Sequence, residues 1–342
     1  MKIKVRQSNM ELLRIIAMAM VVMCHTNYWA LGEPTMRMCA DEPVRAFMQY
    51  LVESLSVVCI NCFVFISGWF SIKLTKRGLA NLVFQLLFYS TLIYFINWAL
   101  GLVQFSVKGF LQHANFLANF WFVKVYLALF LLSPILNVFI EKAGKDSAKT
   151  VLLVYAFLNV VFGWGIDYMK TGYGYSLFHL SFIYLVARYI RIYGGKCFAF
   201  DKWRDLSIYL LITVSTALLI LILAVTWPAM WCKANRLFLY HYNAPLIIIA
   251  SIYLSLFFAK LDFKSKAVNL VGASSFAVFL IHGDPLIAEP YMKPFCNDLF
   301  FNNSIGYFSI IITLSIIALF AVAFLVDQVR QWLWGMIQRA FF

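Results

Sequence analysis

The sequence predicts an all-α fold: a polytopic membrane bundle of about ten transmembrane helices with both termini cytoplasmic. Three observations predict it. Of the 342 residues 63% are hydrophobic and 13% charged, with a mean hydropathy of +0.82, whereas an average soluble domain is about 25% charged. The apolar residues fall in repeated runs of about 20, the length that a hydrocarbon core about 30 Å thick requires of a helix satisfying its own backbone. Because the runs are continuous rather than alternating, they exclude a β-barrel. Lysine and arginine, moreover, gather in every second connection.

Taken in order, the first run follows a basic segment, 1–9, and has no small-residue cleavage pattern. It is also too long for the apolar part of a signal peptide, so it is expected to stay as a span over 10–30. Further spans are drawn over 47–70, 79–103, 119–140, 149–166, 175–193, 205–227, 243–260, 266–282 and 304–326. Those over 149–166, 175–193 and 266–282 are short or interrupted by glycine. With the N-terminus inside, the inner segments hold 20 of the 28 lysines and arginines and the outer loops 7, while Lys124 lies within a span. Acids divide evenly, so the net charge of +13 falls on the inner face. Topology and attraction to anionic membrane lipids account for most of that bias. Residues 327–342, with Arg330, Trp332, Trp334 and Arg339, read as an interfacial amphipathic tail on the cytoplasmic side. No appended soluble domain or internal repeat is visible, and 1–342 reads as one membrane domain. Only Cys59 and Cys62 among the seven cysteines have metal-like spacing, and they lie inside an apolar span with no second pair, so no metal is expected. Nor is nucleic acid expected as a partner.

Ionisable groups inside spans normally face the bundle interior and mark a pathway or a reactive site. Arg14 and His25 are such a pair. At about 100° and about 1.5 Å per residue they share a helix face, about 16 Å apart along the axis. Arg14 then sits at the inner mouth and His25 in the outer half. Glu53 and Lys124 are the other charges within spans; they pair with each other, or Glu53 orients His25 as carboxylates orient catalytic imidazoles. Arg14, Lys73, Lys76 and Arg77 gather at one inner mouth with the character of a phosphate site, although ordinary positive-inside decoration explains the same cluster. His25 is the candidate general base, and His282 a secondary outer-site residue with Asp284 close by. His113 and His241, in aromatic loops, read as surface or interfacial side chains.

The spacing Arg14-x10-His25 resembles the basic-x10-His signature of the acyltransferase-3 family. Phe65-Ile-Ser67-Gly68-Trp-Phe70 is similar to the family's Ser-Gly-Tyr-Phe segment, Trp121-Phe-Val-Lys-Val-Tyr126 leading to Ser133-Pro-Ile-Leu-Asn137 is a further likeness, and Phe279-Leu-Ile-His282 is similar to its Tyr-Leu-Ile-His segment. These occur in the family's order over residues 9 to about 326. One departure precedes the third span, where Lys73-x-x-Lys76 with Arg77 stands in place of Arg-x-x-Arg.

The resemblance implies a transferase in the bacterial plasma membrane that moves an acyl group from cytoplasmic acyl-CoA, with acetyl-CoA as donor, to a hydroxyl of an extracytoplasmic glycan or lipid-linked sugar. The donor's phosphates are then expected on Arg14, Lys73, Lys76 and Arg77, with the thioester beside His25. Ser67 and Gly68 are expected along its arm, Gly68 serving equally well as a helix-packing glycine. A transporter or flippase for a lipid-linked glycan is the alternative, but the repeats and paired broken helices of such folds are not evident.

Overall fold

The computed structural model describes residues 6–165, 170–228, 231 and 238–341. Lys2, Lys4, Lys233 and Arg236 of the charge count, and Cys232, lie outside them. The described residues are helical and contain no strand. The principal helices are α1 (Ser8–Cys24), α2 (Pro43–Ser56), α3 (Cys59–Phe70), α4 (Lys76–Ala99), α5 (Trp121–Lys142), α6 (Lys145–Phe157) and α7 (Leu177–Tyr193). They are followed by α8 (Lys202–Thr226), α9 (Pro245–Ala259), α10 (Lys266–His282), α11 (Lys293–Asn302) and α12 (Ile305–Phe341). Their starts are written in the sequence. The side chains of Thr75, Ser176, Asp201 and Ser265 each accept a hydrogen bond from an amide in the first turn of α4, α7, α8 and α10, and Pro43 and Pro245 open α2 and α9.

Among the described residues, eight helical segments are long and apolar enough to cross a membrane, and a ninth counts if the bent pair Lys266–His282 and Pro285–Asn302, angled by 59°, is one span. Every expected span corresponds to a helix, but α7 and α10, drawn as the sixth and ninth spans, have only 17 residues each. That is about 25 Å of helix, near the lower limit for spanning. α7 is buried on all sides, with His179 to Ile190 enclosed without interruption. Such a helix forms the centre of a bundle rather than its rim.

α1 and α10 run parallel in a fixed register. At one end the Ser265 amide donates to Ser8 Oγ at 2.9 Å; at the other His25 meets His282, and both pairs are 257 residues apart. Close approach depends on Gly272, where an added Cβ would stand 2.9 Å from the Glu11 Cβ and 3.2 Å from the Glu11 carbonyl oxygen. These contacts define a basic end, near Arg6 and Arg14, and a histidine end.

The tail expected as a separate interfacial helix is the continuation of α12, 37 residues long. It packs on α4: Tyr89 donates to Asp327 at 3.2 Å, Arg330 to Asn81 at 3.3 Å, and Trp334 stacks on Phe84. The Asp327–Arg330 ion pair is buried. Periodicity alone reads those polar groups as facing water, whereas they face another helix.

Candidate active site

At the histidine end α1 widens into one π-helical turn, His25–Trp29, a distortion that often accompanies functional positions. His25 Nδ1 lies 3.0 Å from Nε2 of His282, the last residue of α10. His282 Nδ1 lies 2.6 Å from the Val278 carbonyl oxygen. A carbonyl only accepts, so Nδ1 of His282 carries the proton and Nε2, in the neutral ring, is the acceptor. His25 therefore donates from Nδ1, and its Nε2 keeps a lone pair. Among the described residues Nε2 of His25 has no hydrogen-bond partner. The His25 ring lines a cavity of about 270 Å³ with Trp29, Asn119, Trp121, Phe279 and Glu289. A neutral imidazole held in one tautomer, with one nitrogen unbonded and its ring lining a cavity, is equipped to take a proton.

His179 shows the contrast. Its Nε2 meets Asn61 Oδ1 at 2.9 Å and its Nδ1 meets Asn159 Nδ2 at 3.0 Å, so both nitrogens are bonded to α3 and to the segment after α6. It ties helices together and has no lone pair to offer.

Glu53 is buried but does not touch the His25 ring. Its Oε2 accepts from Asn27 Nδ2 at 3.1 Å, and Asn27 also donates to the Gln49 carbonyl at 3.0 Å. Glu53 thus holds the π turn from behind, two residues past His25, and the orienting contact expected of it is made by His282. Nor does it pair with Lys124, which is exposed. His113, expected at the surface, is buried, with Nε2 3.3 Å from Asp284. That contact joins helix Val107–Ala114 to the corner after α10, where Asp284 also caps Leu286. His241 is buried as well, stacked on Tyr173. The pairing of His113 with Asp284, distant in sequence, left no local sign.

At the basic end Glu11 bridges Arg14 at 2.8 Å and Arg6 at 3.1 Å. Arg6 lines a polar cavity of about 280 Å³ with Asn81, Gln85, Arg330, Gln331 and Gln338, and Arg77 bonds Gln338 at its edge. Two guanidiniums, Arg6 and Arg330, thus line this cavity, each paired with a carboxylate, Glu11 and Asp327, and Arg14 joins the first pair through Glu11. Arg14 is tied to Arg6 through Glu11 and Arg77 bonds Gln338, whereas Lys73, just before α4, and Lys76, its first residue, are exposed like Arg77 and do not line the cavity. Ser67 bonds the Phe63 carbonyl and Tyr126, and a Cβ on Gly68 would come within 2.4 Å of the Tyr184 carbonyl oxygen. Both lie on the seam of α3 with α5 and α7, away from the polar cavity. Arg6 and Arg330 escaped the sequence reading because one was counted as a leader charge and the other as a tail charge. Along α10, Ala273 at the polar cavity and His282 are nine residues apart, about 14 Å.

No curated protein and no solved structure matches the chain. The family model of the acyltransferase domain matches residues 7–326, nearly the whole length. That range takes in both the α1–α10 pair and its two histidines, and the chain is a multipass membrane protein belonging to the acyltransferase-3 family.

Proposed function

We propose that this chain transfers an acetyl group from acetyl-CoA, bound at the basic end, to a hydroxyl of a glycan or lipid-linked sugar held at the histidine end. The observation that carries the reading is the hydrogen-bond chain from the Val278 carbonyl through His282 to His25, which leaves Nε2 an unbonded acceptor on a side chain that lines a cavity. The hydroxyl proton passes to His25 Nε2 as the oxygen attacks the thioester carbonyl. Collapse of the tetrahedral species breaks the carbon–sulfur bond, and the imidazolium returns its proton to the departing thiolate, giving an acetyl ester and free CoA. General base catalysis is worth a factor of about 10² to 10⁴, and holding donor and acceptor together contributes further. His282 fixes the tautomer and shares the charge that develops on His25.

Support for the donor's side comes from the arginines around the polar cavity, which suit phosphate oxygens. For the acceptor's side, Trp29 and Trp121 flank His25, and Trp121 packs on Tyr175 and Tyr242; such faces suit the apolar side of a sugar ring. The test uses sealed vesicles holding the purified protein, with radiolabelled acetyl-CoA on the side of the basic end. Label appearing in acceptor across the membrane supports the reading, and intact acetyl-CoA with transported acceptor contradicts it.

A further inference from the structure

A second cavity, of about 530 Å³, lies on the other side of His282, enclosed by the end of α1, the segment Pro285–Met292, α11 and α12. Its walls are apolar apart from Thr26, Tyr291, Ser315 and His282. The Thr26 hydroxyl already donates to the Met23 carbonyl, and both nitrogens of His282 are bonded. A polar ligand finds little to bond here; a hydrocarbon chain loses nothing and leaves water or a void behind. The rim residues Tyr291 and Phe295 are 44% and 46% exposed. Beyond the rim run the exposed apolar residues Ile310, Leu314 and Ile317 of α12, so the cavity opens sideways onto a flank suited to lipid. It adjoins the reactive pocket: Met292 lines both, and His282, in its wall, is bonded to His25.

We propose that this cavity holds the single hydrocarbon tail of a membrane-anchored acceptor, whose sugar headgroup passes Met292 to reach His25. The inference rests on the acyl-transfer reading and narrows its acceptor to one carried on a lipid. A tail on the donor's acyl group is the competing occupant. It fits less well, because the acetyl group of the donor proposed above has no tail to place in a cavity of about 530 Å³. The volume lies within the range of about 300–1,000 Å³ usual for organic ligands, far beyond what an acetyl group fills.

The experiment is photolabelling of the full chain in phosphatidylcholine nanodiscs, using dodecyl maltoside with a diazirine at the end of its chain. Label is expected in Pro290–Cys296 and Ile312–Leu319, reduced about tenfold or more by unlabelled dodecyl maltoside and not by methyl maltoside or palmitoyl-CoA at equal concentration. Ser315→Trp, or Ser315→Leu if the first is not monodisperse, is expected to lower labelling about fivefold. Ile317→Trp, on the exposed face, leaves labelling unchanged. Displacement by palmitoyl-CoA assigns the cavity to the donor and overturns the proposal; so does labelling that no competitor displaces, or that filling the cavity does not change. The His25→Ala protein keeps the tail site. Displaceable labelling there without acetyl-CoA turnover in the wild type counts against the transfer chemistry alone.

Discussion

His25 Nδ1 and His282 Nε2 stand 3.0 Å apart, although 257 residues separate them in the chain. The contact exists because α1 and α10 lie parallel, joined at one end by Ser8 and Ser265 and seated against each other at Gly272. Since Val278 fixes the proton on His282 Nδ1, the pair has a direction: His282 accepts and His25 donates. His282→Ala is therefore expected to lower kcat about 10²-fold, with KM for the donor unchanged. Glutamine at 282 can still present an oxygen to Nδ1, so His282→Gln should recover part of the loss. Steady-state kinetics of both variants in nanodiscs checks this; equal losses remove the orienting role.

Glu53 acts on the backbone of the π turn through Asn27. Glutamine retains the accepting oxygen, so Glu53→Gln should keep activity within about tenfold of the wild type. Glu53→Ala leaves Asn27 short of a buried acceptor and should destabilise by about 1–3 kcal/mol. Thermal unfolding in detergent, read beside activity, separates the two. A Glu53→Gln protein as inactive as His25→Ala instead assigns the carboxylate a direct part in the chemistry.

Gly272 is far from the histidines along α10 yet sets the distance between their helices. Gly272→Val overpacks the contact with Glu11 and is expected to cost about 1–3 kcal/mol, with a fall in kcat as His282 moves from His25. Gly306→Ala, where nothing lies within 4 Å of the added Cβ, is the control and should change neither.

For the donor, Arg6 is the informative residue because its side chain is 47% exposed and its removal does not empty a buried pair. Arg6→Ala should raise KM for acetyl-CoA about tenfold, leave kcat in place and weaken the dependence of KM on salt. Arg330→Ala differs: it leaves Asp327 buried without its partner, a loss of about 3–5 kcal/mol, and should first appear as reduced folded yield.

Helix periodicity made part of this site readable in advance. Arg14 and His25 share a face because eleven steps of an α-helix return close to the starting angle, and charge inside an apolar run marked both. Equal spacing was also present: Ser8 precedes His25 by the same interval as Ser265 precedes His282. Nothing in the sequence marks those four residues as partners, however, because parallel packing of α1 on α10 is a tertiary fact that no local pattern specifies. The same limit hid the burial of His113 by Asp284 and made Asp327 and Arg330 read as tail residues. Glu53 is a buried charge close to His25 in space, but an offset of two residues decides whether it meets the ring or the Asn27 side chain behind it.

The central claim is that His25 Nε2 takes the proton of the acceptor hydroxyl. Its most direct test is the rate at which purified His25→Ala in nanodiscs consumes radiolabelled acetyl-CoA in the presence of acceptor, with insertion verified. A fall of about 10² or more with donor KM intact is the expected result. A His25→Ala rate within about twofold of the wild type contradicts the claim.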